Sequence, residues 1–246
     1  MAQNEMYILY ADIMGFKDRV MRTPHEKLVK DFEDMISRLE KWFSPSKKAS
    51  TFKVSFFSDS ILVVDENTKD GFNRISKAAA GLMQVALESG FAVKGVISKG
   101  DFTYEEKPQL FLGRALVDAF LLEEQLHYYG IVAHHSVEDS IVKWANGWQH
   151  AESKRSPYVL SPTPLKNGDI MHYHLAYNLI SRTRETGSDV KSAHDDIISW
   201  LEQIRATVSG SPRVYVDKTI QVLEEDLKLF NRRKGNSTKK VEFPLS

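Results

Sequence analysis

The chain has 246 residues, 42% of them hydrophobic, and carries 33 basic and 33 acidic side chains. That length supports one sizeable core with an appended subdomain, and a formal net charge of zero lacks the basic footprint of a nucleic-acid binder. There is no cysteine, so disulfides and thiolate metal sites are excluded. The opening MAQNEMYILYAD lacks the basic-then-apolar layout of a signal peptide, and no apolar run is long enough to span a bilayer. The expectation is a soluble cytoplasmic protein with neither a membrane nor a nucleic-acid partner.

In chain order, Met6–Ala11 is an apolar run of strand length that ends on Asp12, followed by Gly15 and a short helix opening at Phe16. Thr23-Pro24-His25-Glu26 reads as a fresh helix start, and Leu28, Phe32, Met35, Ile36, Leu39 and Phe43 then recur at helical spacing. Ser44 to Ser50 is a polar loop. Strands are expected over Phe52–Phe57 and Ser60–Val64, with Ser58-Asp59 as the turn and the flanking apolar residues burying the hairpin on both sides. Asp70–Ser89 follows as a second amphipathic helix ended by Gly90, then Val93–Ser98 as a strand. Gly100–Gln109 reads as a hairpin-like arm, Arg114–Gln125 as a helix, Ile131–His134 as a strand and Ser136–Trp144 as a helix. Short strands over Tyr158–Leu160 and Ile170–Tyr173 precede two helices, from about Asp189 to Thr207 and from Ser211-Pro212 to near Asn231. A basic tail closes the chain.

The first six strong elements run β-α-β-β-α-β, an α+β ferredoxin-like unit. Residues 1–150 are taken as the core domain, and 151–246 as a mixed, helical C-terminal extension packed on it. In this topology the hairpin turn lies beside the end of the first strand, so Asp59 meets Asp12 across one edge of the sheet. Two carboxylates there repel unless a cation lies between them or one is protonated. Taken singly, Asp12 is a helix cap and Asp59 a turn aspartate; together they suit a metal ion carrying phosphates. The eight histidines show no partnering carboxylates at metal-ligand spacing.

Four blocks carry a resemblance: Ala11-Asp12-Ile13-Met14-Gly15-Phe16-Lys17, Phe57-Ser58-Asp59-Ser60, Gly95-Val96-Ile97-Ser98-Lys99-Gly100, and Leu112 to Ala119. In this order they resemble the class III nucleotide cyclases, a palm-type fold, over roughly Met6 to Val132. Three departures stand out. The family's purine-reading lysine or glutamate falls on Ser55, its second base-reading residue near Leu110, and its transition-state Asn and Arg near Asp118 and on Leu121 or Leu122. Two readings are open: an inactive, degenerate domain, or an active one with rebuilt base and charge chemistry. The patterns F-S-D-S, K-G-V-I-S-x-G and G-x-A-L-V-x-A-x-x-L-E, with Pro164 to Gly168, are similar to the bacterial pyrimidine cyclases of Pycsar anti-phage defence, which favours the second.

That resemblance implies cyclisation of UTP or CTP to the 3′,5′-cyclic monophosphate, for a separate effector to read. It implies two Mn2+ or Mg2+ ions per site held by Asp12, Asp59 and the Ile13 carbonyl. Met14, Gly15 and Phe16 amides would cradle the triphosphate, with Lys17 adding charge. Ser55 and Lys94 fall at the base, while Asp118 and Arg114 are candidates for the catalytic helix. Class III sites form between protomers, so a head-to-tail homodimer is implied. The alternatives are another palm-type nucleotidyl transferase or purine cyclase, or a non-catalytic nucleotide-binding relative.

Overall fold

In the computed structural model, which describes residues 5–43, 48–49, 51–144, 157–177 and 190–235, the first strand is the axis of the fold. Strand β1 (Glu5–Met14) pairs antiparallel on both sides, with β3 (Ser60–Glu66) and β4 (Ala92–Asp101). Its apolar run needs partners on both faces, and alternation supplies them. Tyr7, Leu9, Ala11 and Ile13 enter one core, and Ile8, with Met6 and Tyr10 beside it, the other.

Between β1 and β3 come α1 (Phe16–Arg22), α2 (His25–Phe43) and β2 (Lys53–Phe57), and α3 (Lys69–Glu88) links β3 to β4. The strand order β2-β3-β1-β4 is the ferredoxin-like core expected from the sequence. Helices α2 and α3 cover the first core, α2 through Leu28, Met35, Leu39 and Phe43. Thr68 caps α3, accepting a hydrogen bond from the Gly71 amide at 3.0 Å. Asp65, fully buried, accepts from Arg74 Nε and Nη2 and from the Thr51 hydroxyl, so this acid is structural.

A two-stranded arm, β5 (Thr103–Glu105) and β6 (Leu110–Leu112), leads into α4 (Arg114–Gln125), which packs on β1 and β4 over the second core. Strand β7 (Gly130–Ala133) then adds parallel to β4, followed by a 3-10 turn (His135–Val137) and α5 (Glu138–Trp144). The hairpin β8 (Tyr158–Leu165) and β9 (Gly168–Leu175) is longer than the short strands expected there. It extends the same sheet, giving the order β2-β3-β1-β4-β7-β9-β8. Helices α6 (Val190–Thr207) and α7 (Ser211–Gly235) close the described chain. The expected loop Ser44–Ser50 and the basic tail fall largely outside the described residues. None of the described helices is long and apolar enough to cross a membrane.

Candidate active site

Strand β1 continues two residues past Asp12, so that carboxylate sits within the sheet's edge rather than after it. Gly15 then turns the chain in the left-handed region, φ 73°, into α1. Asp12 is register partner to Ser60 on β3 and to Lys94 on β4, so all three side chains leave the same face, the one α4 covers. Ser58, at φ 53°, makes the tight turn between β2 and β3. The Ile13 amide donates to the Asp59 carbonyl at 2.8 Å, which ties the turn to the end of β1. The structure thus brings Asp12 and Asp59 to one edge, as the topology predicted.

Their proximity has an electrostatic consequence. The Asp12 carboxyl is pushed up to about 7, first by burial, then by the charges of Glu123 and Asp59, with Lys94 pulling the other way. Glu123 was not foreseen from the sequence. It lies on α4 in line with Ala115 and Ala119, at a position where helical periodicity calls for an apolar residue, and it is buried. Lys94 Nζ stands 2.8 Å from Glu123 Oε1 and donates to the Glu123 carbonyl at 3.3 Å. Burial raises the Glu123 carboxyl, while Lys94 lowers it. The only sequence signal was a charge on the buried line 115–119–123.

Ser55 Oγ lies 3.0 Å from the Tyr104 hydroxyl on β5, a neighbour sequence reasoning missed. Arg114 Nε lies 3.3 Å from Asp118, with the arginine side chain 75% exposed. Lys17 is exposed. Phe16 stacks edge-on against Phe32, which in turn meets Phe91, anchoring α1 to the core. Arg19 lies over Phe91 and donates to the Gly90 carbonyl. One expectation fails: the β2–β3 hairpin is buried only on the β3 side. Ile61 to Val64 are buried, but β2 is an edge strand, and Phe57 is 78% exposed.

The histidines make no metal-ligand group among the described residues, but one of them has a carboxylate partner that sequence spacing does not reveal. His174 Nε2 lies 3.0 and 3.1 Å from the two oxygens of Asp226, and its Nδ1 lies 3.3 Å from Ser161 Oγ, all three groups buried. The partner is 52 residues away on α7, beyond any spacing rule. This is a latch between the β8–β9 hairpin and the last helix, with no open face for a substrate.

Among the described residues no group of three or more His, Cys, Asp or Glu side chains is placed to hold a metal ion by itself. The Asp12–Asp59 edge nonetheless suits a hard divalent ion whose other ligands are phosphate oxygens and water. Its donors are oxygens, and its half-buried Asp12 carries the repulsion of neighbouring acids, which a cation would offset.

No protein-family model and no curated protein matches the sequence. Solved structures do match in fold. The catalytic core of a rhodopsin-guanylyl cyclase with converted specificity, in complex with ATPalphaS, aligns with TM-score 0.53 and 15% identity over 70% of this chain and 96% of that one. The monomeric guanylyl cyclase domain of the RhoGC fusion protein from the aquatic fungus Blastocladiella emersonii gives 0.53 and 15% over 70% and 95%. The guanylate cyclase domain of RhGC from Catenaria anguillulae, in complex with GTP, gives 0.51 and 14% over 70% and 96%. The chain therefore has the palm-type fold of class III cyclase catalytic domains.

Proposed function

We propose that this chain is a nucleotide cyclase converting UTP or CTP to the 3′,5′-cyclic monophosphate and pyrophosphate. The observation that carries it is the acidic edge. A half-buried Asp12 near the end of β1 has Asp59, in the β2–β3 turn, fixed beside it by the Ile13 amide, in a chain with a cyclase-type fold. The cyclase motifs quoted above fall on the same two elements.

In the reaction the ribose 3′-oxygen bonds to the α-phosphorus of its own nucleotide, and the bond to the pyrophosphate oxygen breaks. Two Mg2+ or Mn2+ ions, when bound, would neutralise the phosphate charge and acidify the attacking hydroxyl, whose proton would pass to water as the oxygen bonds to phosphorus. Asp12, Asp59 and the Ile13 carbonyl are the assigned ligands. The turn Met14-Gly15-Phe16 offers backbone amides to the triphosphate, with the exposed Lys17 adding a charge. Base recognition is assigned to Ser55 and Tyr104, whose hydroxyls already meet. A serine is too short to reach a ring edge as the family's lysine or glutamate does, which favours a different base. Lys94 is held by Glu123 and is assigned no base contact.

A second copy completes this site. Helix α4 presents Val117, Phe120 and Leu121, 54%, 42% and 52% exposed, on one outward stripe, and Phe57 is bare as well. The Arg114–Asp118 pair on the same helix is then free to serve the partner's triphosphate. The Pycsar-like motifs support a role in anti-phage defence, with the cyclic nucleotide read by a separate effector.

The test is incubation of the purified protein with each of the four NTPs and Mn2+, with products resolved by chromatography. UTP or CTP should be cyclised far faster than ATP or GTP, and Asp59→Ala should abolish turnover while leaving the fold intact. ATP turnover equal to that of UTP and CTP would overturn the pyrimidine assignment, and full activity in Asp59→Ala the metal assignment.

A further inference from the structure

Among the described residues a buried lysine–glutamate ion pair, Lys94–Glu123, stands beside Asp12 on the side of the second core. Asp12 and Lys94 are register partners on β1 and β4, and α4 covers the face they share. The buried line of α4 is Ala115, Ala119 and Glu123, so an otherwise apolar line ends in a carboxylate. The Lys94 and Glu123 side chains are 9% and 4% exposed. A buried ion pair is seldom the stable choice, since well-packed apolar residues of similar volume often do as well or better. Packing therefore gives no reason for the pair.

Its position gives one. A lysine facing Asp12 across two strands is the natural partner for that carboxylate, and both act on each other electrostatically. An ammonium resting on Asp12 would occupy the oxygens a divalent ion must take. Glu123 prevents this by holding Lys94 Nζ at 2.8 Å from its own Oε1 and 3.3 Å from its own carbonyl. We infer that Glu123 is a positioning residue for the acidic edge: it retains the Lys94 ammonium on α4 and so leaves Asp12 open to the divalent cation. The inference rests on the proposed metal role of Asp12.

The charge arithmetic gives its signature. In the wild-type chain Lys94 and Glu123 cancel, so the charge the ion meets is that of Asp12 and Asp59 alone. Glu123→Gln leaves an uncancelled cation next to Asp12, which is expected to weaken Mn2+ binding by about tenfold or more. The double variant Lys94→Met/Glu123→Gln removes both charges and should return binding to within about threefold of wild type. A merely structural role for Glu123 would show in the melts as well, because an unpaired buried Lys94 destabilises the fold and its removal restores it; weakened Mn2+ binding in a Glu123→Gln chain that is still fully folded at the titration temperature separates the two.

The experiment is titration of the full chain with Mn2+ alone, followed by the electron paramagnetic resonance of free Mn2+, for wild type, Glu123→Gln, the double variant and Asp12→Ala. Thermal melts of each report folding. Weakened binding in Glu123→Gln with recovery in the double variant supports the inference. Unchanged binding in a folded Glu123→Gln, or no recovery in a folded double variant, overturns it while the metal assignment stands. Should Glu123→Gln not fold, the double variant and Lys94→Met decide. Lys94→Met alone should bind Mn2+ at least as tightly as wild type, and a tenfold loss there would overturn the inference. Mn2+ binding that survives Asp12→Ala would overturn the metal assignment itself, and this inference with it.

Discussion

Replacing Asp12 by Asn should stabilise the ion-free protein, and do so more strongly at high pH. The folded chain holds the Asp12 proton up to about pH 7, whereas the ordinary carboxyl value is 3.8. As pH rises through that window the unfolded chain has already released the proton and the folded chain has not, so folding stability falls, and the penalty is full above about 7. At about 1.36 kcal/mol per pH unit a gap of roughly 3 units is worth about 4 kcal/mol. Asp12 keeps access to water, and screening reduces this to about 2 kcal/mol. Asparagine keeps the shape and never ionises. In EDTA at pH 8.5 it should raise Tm by about 4–8 °C for a chain of this size, and at pH 5.5 by about half as much. Scanning calorimetry at the two pH values, with and without Mn2+, is the assay. Mn2+ should raise the Tm of the wild type but not that of Asp12→Asn, since only the former retains the ligand. A variant less stable than wild type at both pH values, or a difference that ignores pH, would refute the claim that Asp12 is held against its charge.

Two further outcomes are expected. Mixing an Asp59→Ala chain with an Arg114→Ala chain should recover part of the lost cyclase activity through one intact composite site; no recovery, with subunit exchange demonstrated, would place the site within one chain. Gly113→Ala should destabilise by about 3 kcal/mol, because an added Cβ would lie 2.2 Å from the Asp101 carbonyl and 2.6 Å from the Phe102 Cα, and backbone cannot yield as a side-chain end does. Denaturant unfolding measures it, and a neutral result would show that α4 has room to shift at its start.

Much of this molecule is local and therefore legible in its sequence. The 3.6-residue period set α2 and α3, and Gly113 and the apolar pattern after it set α4 at Arg114–Gln125, the bounds expected. The β-α-β-β-α-β order was enough to bring Asp59 to Asp12, because crossover and hairpin leave the turn only one place to go. What the sequence hid depends on neighbours far along the chain. Pro162 and Pro164 break the strand signal of β8, yet β8 is the last strand of the sheet, and on its outer side only a short bridge at Leu126–Leu165 forms, in which Pro164 needs to offer no more than its carbonyl, to the His127 amide. Phe56 and Phe57 look like core, but β2 is the opposite edge and leaves them exposed. The pairs Lys94–Glu123 and His174–Asp226 join residues 29 and 52 positions apart. Periodicity records which face of an element is buried, but the charge a buried residue meets there is decided only when helix and sheet are packed together.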